Sequence, residues 1–349
     1  MITNPTRQRA LHGITATRPS ARVANSVDHQ AALAWRLTAR DKWIIRMVHE
    51  HRVLTAAQIT ACAFPSFRSG RQRLRELFQW SVLDRFQPAI SLGAAPMHYV
   101  LGPAGASVLA AEHGLDVKDL GYRRDRTIGI SHHQRLAHTV GVNEWFTTLI
   151  TRARHHTSNA LRAWWSETRC AQHFGDLVRP DAYGRWHTHH REIEFFLEFD
   201  LGTETTTRVA HKLHGYHQLA AATGIITPLL VWLPTARREA TTRRALTTTW
   251  RELDAPHQVP VLTAAADLLN PHTEHPSPAD TVWLPLTPVP QSSTPRVGLH
   301  QISGLWPHIP PPTSTGTDTT TAVSTTLPAP PPMPPPPSLR AEPRSGVAG

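Results

Sequence analysis

Residues 38–101 contain a run of local signals that predicts helices at defined positions. Thr38 with Asp41, and Thr55 with Gln58, form capping-box patterns, in which a side-chain oxygen accepts a hydrogen bond from an unpaired first-turn N–H. An apolar stripe at helical spacing follows the first pattern: Trp43, Ile44, Met47 and Val48. The second helix has to end before Pro65, because proline disfavours the helical conformation of the residue that precedes it. The segment therefore starts with two capped helices.

A third helix is predicted at about 69–80, with Leu74, Leu77 and Phe78 facing inward. Two short strands, 82–86 and 97–101, follow on either side of a Pro/Gly loop at 88–96. Three helices followed by two strands is the order of a winged helix-turn-helix, whose third helix enters the DNA major groove. The residues predicted to contact DNA are those left on the outside: Arg68, Arg71, Gln72, Arg75, Gln79 and Arg85.

Two other interpretations of this surface stay open. A charged helical face is commonly just a solvated one, and a winged helix can also dock onto a protein. The overall charge favours DNA, because the chain carries a formal net charge of +10 at pH 7.

Composition divides the 349 residues into four segments. We predict a disordered N-terminal arm at 1–30, a winged-helix domain at 31–120, an α/β domain at 127–285 and a disordered Pro/Thr-rich tail at 286–349. No apolar stretch approaches a membrane span, and the two cysteines are too few for a disulfide framework, so we expect a cytoplasmic protein. The oligomeric state is not predicted.

The second domain is predicted to contain a helix at about 133–154, strands at 161–167, 176–183 and 192–200, a helix at about 205–222 and a strand at 228–233. A further helix contains 237–250, and another strand is predicted at 259–262. This order predicts a mixed central sheet covered by helices, and the fold class of the whole chain is therefore α+β.

Carboxylates mark one point in this sheet. In strand 192–200 the apolar side chains alternate with Glu194, Glu198 and Asp200, so that the acids share one face. A hairpin would bring Asp181, from the preceding strand, next to Glu198. Paired carboxylates can bind Mg²⁺, which can activate water for attack on a phosphodiester. The alternatives are that Asp181 ends its strand in a turn, and that Glu198 and Asp200 join Arg179, Arg208 or Lys212 in a structural ion cluster.

Asp181, Glu198 and the order of helix, three strands, helix and strand resemble the PD-(D/E)xK nuclease fold. The resemblance implies a catalytic set of Asp181, Glu198, the residue at 200 and a cation. The third motif position is Asp200 where the nuclease pattern has lysine, so Lys212 on the next helix is the candidate for the missing cation. Glu144 on the first helix, or Glu167 after the first strand, is the candidate for a third metal ligand beside Asp181 and Glu198.

Residues 37–233 also resemble the replication-relaxation family, through HYVLGPAGASVLA, HHQRLAHTVGVNEWF, VRPDAYGRW and FFLEFDLGTETTTRVAHKLHGY, among others. The resemblance implies a double-stranded-DNA-binding protein of a plasmid or other mobile element, acting in replication, relaxation or mobilisation, with other replication or transfer proteins as further partners. Two alternatives stay open: an active Mg²⁺-dependent endonuclease directed by the winged helix, and a transcriptional repressor.

Overall fold

The computed structural model describes residues 11, 14–15, 22–90, 93–130, 135–188, 191–287, 296–307, 309 and 327–336. Most of the predicted N-terminal arm, the tip of the predicted wing at 91–92, the start of the predicted helix at 133 and much of the predicted tail lie outside the described residues.

The N-terminal unit, residues 22–112, is built from five helices and three short strands among its described residues. In chain order they are α1 (Val27–Arg36), α2 (Ala39–His51), β1 (Leu54–Thr55), α3 (Ala56–Ala63), α4 (Phe67–Gln79), β2 (Leu83–Phe86), β3 (His98–Leu101) and α5 (Pro103–Glu112). The strands form an antiparallel sheet in the order β1-β3-β2. A short helix α6 (Arg124–Gly129) leads to the second unit.

The predicted capping residues do start the helices of this unit. Thr38 and Thr55 cap α2 and α3 through complete capping boxes, and Ser66 caps α4. The predicted stripe on α2 is buried, as are Leu74 and Leu77 on α4. Helices α3 and α4 approach closely at Gly70, where a Cβ atom would come within 2.5 Å of the Thr60 hydroxyl.

The prediction that residues 1–30 are disordered is wrong for its last residues. Ser26 caps helix α1, and Leu33 of that helix is fully buried. His29 is hydrogen-bonded through Nε2 to the Trp80 carbonyl at 2.8 Å, and Arg22 pairs with Asp84. The sequence prediction missed this helix because most of its burial comes from contacts with residues far along the chain.

The C-terminal unit, residues 135–307, contains six α-helices and six strands among its described residues. They are α7 (Leu136–His155), β4 (Asn159–Ser166), α8 (Glu167–Phe174), β5 (Ala182–Thr188), β6 (Arg191–Phe199), α9 (Thr206–His211), α10 (Leu213–Thr223), β7 (Leu229–Leu233), α11 (Ala236–Arg251), β8 (Val261–Ala265), β9 (Leu284–Pro285) and α12 (Leu299–Leu305). Short 3-10 helices lie at Pro256–Gln258 and Ala266–Leu268. The sheet order is β4-β5-β6-β7-β8-β9, with β6, β7 and β8 parallel and the other pairs antiparallel. The predicted α+β class with a mixed sheet is confirmed.

Both faces of this sheet are covered by other parts of the chain, and the side chains of β6 point alternately to one face and the other. Phe195 and Leu197 belong to the apolar cluster that contains Trp145 of α7. Phe196 faces the other way, into a cluster with Leu213 of α10. Glu198 shares this second face, so a carboxylate is carried into a buried layer.

Two secondary-structure predictions require correction here. Helix α8, capped by Ser166, was not predicted, and it interrupts the region between the first two strands. The strand predicted at 176–183 begins at Ala182 instead. Residues 176–181 form an irregular segment, in which Pro180 has no N–H to donate to a neighbouring strand.

Two segments of the predicted tail, 296–307 and 327–336, pack against the rest of the chain, and most of the tail lies outside the described residues. Val297 and Trp283 exchange backbone hydrogen bonds of 2.7 and 3.0 Å. Leu299 and Ile302 of α12 are fully buried, and α12 packs against β6. The sequence analysis missed this helix because it lies in a segment rich in proline and threonine. Leu299 and Ile302 are buried through their contacts with the sheet.

The two units share one continuous apolar cluster, which extends from Trp43 of α2 to Trp145 of α7. Asn143 of α7 donates to the Val53 carbonyl at 2.7 Å, and Gln58 of α3 donates to the Val140 carbonyl at 3.0 Å. The units therefore pack as one core. Among the residues that the structure describes, no helix is long and apolar enough to cross a membrane.

Candidate functional site

The pairing of β5 with β6 brings the two predicted carboxylates together. Ala182 pairs with Leu197, and continuing this register by one residue places Asp181 opposite Glu198. Residues opposite each other on antiparallel strands point to the same face, with Cβ atoms about 5 Å apart. Both side chains are almost completely buried, at 5% and 3% exposure.

Asp181 is held at the end of β5 by two hydrogen bonds to the same oxygen. Its Oδ2 accepts the Phe199 backbone N–H at 2.8 Å and lies 3.1 Å from Nε2 of His138 on α7. Arg135 lies 3.7 Å from the other oxygen, Oδ1. Burial opposes ionisation, but His138 and Lys212 lower the pKa of Asp181 to about 2, so this carboxylate is charged at neutral pH.

Glu198 is held by two residues from the helix pair that follows its strand. Lys212, at the break between α9 and α10, donates from Nζ to Oε2 at 2.5 Å. The Tyr216 hydroxyl donates to Oε1 at 2.6 Å. Lys212 therefore lies beside Glu198, and its predicted role in catalysis stays a prediction.

The two carboxylates differ in their protonation energetics. Burial and the neighbouring Asp181 charge raise the pKa of Glu198 well above its ordinary value. Burial alone would lower the pKa of Lys212, but Glu198 and Asp181 raise it, so the ammonium stays charged. A half-buried cation beside one firmly ionised carboxylate and one carboxylate of raised pKa is the kind of perturbed titratable cluster that is common at functional sites.

The structure places two of the predicted site residues elsewhere. Asp200 lies beyond the end of β6, where its carboxylate accepts the Gly202 N–H and the Arg238 Nε–H, each at 2.7 Å. Asp200 is therefore the partner of an arginine and a turn residue. Glu144 accepts a 3.0 Å hydrogen bond from Gln58 of the N-terminal unit, so it supports the interface between the units and not the carboxylate pair.

The other candidate, Glu167, does lie beside Asp181. Ligand atoms of His138, Glu167 and Asp181 all lie within 4.8 Å of one another. Arg135 bridges this group, with a 2.7 Å ion pair to Glu167. The two carboxylates and the imidazole of this group are side chains that can coordinate a divalent cation.

Histidines in this region were not recognised from the sequence. His138 could have been found as a histidine in the first turn of α7, directly after the buried Leu136 and Ala137. His51 lines a cavity of about 40 Å³ together with His138, Glu167 and Asp181. It stacks on Trp164 at 3.5 Å, and neither ring nitrogen has a hydrogen-bond partner in the part of the chain that is described. Burial lowers the pKa of His51 to about 3, so it is neutral.

Helix α4 presents the second candidate surface. Four of the residues predicted to contact DNA are exposed on it: Arg68, Arg71, Gln72 and Arg75. Phe67, at the start of the helix, is also exposed. Gln79 is half-buried, and Arg85 is half-buried with its guanidinium 4.1 Å from the centre of the Phe78 ring. Arg73 differs from its neighbours, because it pairs with Asp41 at 2.6 Å and Glu76 at 2.6 Å and anchors α4 to α2.

Comparison with known proteins gives one family. The family model described as replication-relaxation matches residues 45–230, which is more than half of the chain and includes α4 and the carboxylate pair. No curated protein and no solved structure matches the chain.

Proposed function

The chain belongs to the replication-relaxation family, and from this premise we propose that it is a double-stranded-DNA-binding protein of a plasmid or other mobile element, acting in replication, relaxation or mobilisation. The observation that carries the proposal is the surface of α4. Its inner side is closed by Leu74 and Leu77, while Arg71 and Arg75 lie one turn apart on the exposed side.

The elements around α4 support a winged-helix mode of binding. Helix, strand, helix, helix, strand and strand follow one another in α2, β1, α3, α4, β2 and β3, and the strands pair as a small antiparallel sheet. In winged helices of this order the third helix enters the major groove. Arginine suits that position, because its fork can bridge phosphate oxygens or the acceptor edge of guanine.

The test is the double variant Arg71→Ala/Arg75→Ala, with DNA affinity measured by fluorescence anisotropy between 50 and 200 mM salt. If each arginine neutralises one phosphate in the wild type, the negative slope of log affinity against log salt concentration should become shallower by about 1.8 in the double variant. The matched control is Arg237→Ala/Arg244→Ala, which removes two exposed arginines from α11. Equal slopes for the two double variants would refute the assignment of α4.

A second candidate function is metal-dependent DNA cleavage, favoured by the cluster of Asp181, Glu198 and Lys212. Apart from α8, which lies between β4 and β5, the order of α7, β4, β5, β6, α9, α10 and β7 resembles that of PD-(D/E)xK nucleases. The donor chemistry fits Mg²⁺, because carboxylate oxygens of Asp181 and Glu167 lie in one cluster with His138, within 4.8 Å of one another. The hydrogen bonds from Phe199 and His138 both use Oδ2 of Asp181, and Oδ1 lies 3.7 Å from Arg135.

In this candidate function, Asp181 and Glu198 would hold the cation, and Glu167 takes the place predicted for Glu144. A divalent cation bound there would polarise a phosphodiester and lower the pKa of a water molecule. Lys212, fixed by Glu198, holds a positive charge at the rim of the cluster, where it suits a phosphate oxygen.

The test is nicking of supercoiled plasmid with Mg²⁺ or Mn²⁺ by the wild type, Asp181→Asn and the exposed-residue control Asp116→Asn. Cleavage by the wild type and the control, but not by Asp181→Asn, would establish a nuclease. Binding of DNA without cleavage by any of the three would leave a DNA-binding protein and refute this second candidate.

A further inference from the structure

A proline-rich segment near the C-terminus lies on the N-terminal unit, more than 200 residues away in sequence. We call residues 327–336, Leu-Pro-Ala-Pro-Pro-Pro-Met-Pro-Pro-Pro, the proline strap. Its side chains alternate in exposure: Pro328 and Pro331 are exposed, whereas Pro330 and Pro332 are buried. Leu327 and Met333 pack against the apolar cluster that contains Trp43.

Two backbone carbonyls of the proline strap accept hydrogen bonds from the surface beneath it. The Trp43 indole N–H donates to the Pro331 carbonyl at 3.0 Å. The Arg169 guanidinium donates to the Leu327 carbonyl at 2.9 Å. Arg169 belongs to α8 and Trp43 to α2, so the proline strap contacts both units.

These contacts match the chemistry by which proteins bind polyproline. A run of prolines has fixed φ angles and no N–H groups, so it favours an extended polyproline II helix whose carbonyls remain available as acceptors. Grooves for such ligands offer aromatic side chains, and the ligand loses little entropy because it is already extended. Here the Trp43 indole supplies a donor to a proline carbonyl, and its ring belongs to the apolar cluster against which Leu327 and Met333 pack.

The end of the proline strap lies beside the predicted DNA-reading helix. Met333 to Pro336 line a cavity of about 580 Å³ together with Ser69, Gln72, Arg73 and Glu76 of α4. Phe64 lines the same cavity, and the guanidinium carbon of Arg40 lies 4.9 Å from the centre of its ring. Gln72 is one of the exposed residues predicted to contact DNA.

We propose that α2 and α8 form a polyproline-docking groove, that residues 327–336 of the same chain occupy it, and that the docked proline strap restricts access of DNA to the Ser69/Gln72 edge of α4. The second half of this inference rests on the proposed function of α4. The apparent DNA affinity equals the intrinsic affinity multiplied by the fraction of molecules in which α4 is accessible. A proline strap that is docked nine-tenths of the time therefore lowers the affinity about tenfold.

The test compares two full-length double variants with the same change in charge and proline content. Pro330→Asp/Pro332→Asp alters the two buried prolines, and Pro328→Asp/Pro331→Asp alters two exposed ones. We expect the buried pair of changes to tighten DNA binding by about tenfold and the exposed pair to change it by less than twofold. No difference between the two double variants would overturn the gating of DNA binding.

Docking is tested separately from DNA binding with a photo-reactive benzoylphenylalanine at position 333 of the full-length chain. We expect cross-links within one molecule to residues 38–41 and 63–76, which line the cavity around Met333. Mixing isotopically light and heavy protein separates these from cross-links between two copies. Cross-links only between copies, or to other parts of the chain, would overturn the intramolecular groove.

The DNA-affinity measurement and the cross-linking measurement test the two halves of the proposal separately. Absence of DNA binding by the wild type and both variants would refute the proposed function and the gating together, while intramolecular cross-links would still support the docking groove. Tight DNA binding with no cross-link at α2 or α4 would refute the groove and leave the proposed function intact.

Discussion

The buried ion pair between Glu50 and Arg169 gives the sharpest prediction of stability, because it joins the two units. Glu50 lies at the end of α2 and Arg169 on α8, and both side chains are 7% exposed. Arg169 donates to both carboxylate oxygens, at 3.0 and 2.7 Å, and the Ser166 hydroxyl donates to one of them at 2.9 Å. The change Glu50→Gln keeps the shape but removes the charge.

The expected loss of stability follows from two arguments. Burial opposes the ionisation of Glu50, but the hydrogen bonds from Arg169 lower its pKa from 4.5 to about 2, which corresponds to about 3 kcal/mol. Removing one partner of a buried ion pair costs about 3–5 kcal/mol, because the remaining charge stays desolvated. We therefore expect Glu50→Gln to lower the free energy of unfolding by about 3 kcal/mol at pH 7.

The assay is equilibrium urea unfolding followed by tryptophan fluorescence, with Asp116→Asn as the control. Asp116 pairs with Lys118 on the surface, at 74% and 79% exposure, and exposed pairs of this kind contribute less than about 1 kcal/mol. The double change Glu50→Gln/Arg169→Met removes both charges and should recover part of the loss. A loss below about 1 kcal/mol for Glu50→Gln would refute the assignment of this pair as a coupled, desolvated contact.

The same pair predicts a pH dependence. Because the folded pKa of Glu50 lies below its ordinary value of 4.5, its stabilisation is present above that value and is lost as the pH falls towards 2. The difference in unfolding free energy between the wild type and Glu50→Gln should therefore shrink between pH 5 and pH 3. A difference that stays constant over this range would show that the charge is not the origin of the loss.

Three further predictions concern single positions. Thr38→Ala should lower the free energy of unfolding by about 1 kcal/mol in the same urea titration, because the hydroxyl caps α2; Thr38→Ser should be close to neutral. Gly184→Ala should lower it by about 1–3 kcal/mol, since the new Cβ would come within 2.5 Å of the Phe195 ring, and an unchanged urea midpoint would contradict this packing. Cys62 and Cys170 are buried, and burial raises the pKa of both thiols, so a thiol reagent should label neither until urea unfolds the chain.

The chain's local signals determined helices α2 to α4 of the N-terminal unit and most strands of the sheet, but not α1. Capping residues such as Thr38 and Thr55 act on the N–H groups of the next turn, so their effect is contained within a few residues. The alternating pattern of β6 likewise predicted that Glu198 would lie on the face opposite Phe195, and the register of one hairpin then placed Asp181 beside it.

The tertiary structure alone decided which charged side chains work together. Glu198 pairs with Lys212, and Asp200 pairs with Arg238. Glu144 accepts a hydrogen bond from Gln58 in the other unit. Sequence periodicity places a residue on a face but does not state what covers that face.

The same holds for the parts of the tail that proved to be packed. Leu299 and the proline strap carry no local signal for structure, because polyproline forms no internal hydrogen bonds and a single apolar residue has no preferred partner. Their order comes from groups supplied by distant elements, such as the Trp43 indole that donates to the Pro331 carbonyl. Local chemistry therefore determined where helices begin and strands alternate, whereas long-range packing decided the carboxylate site, the interface between the units and the docking of the tail.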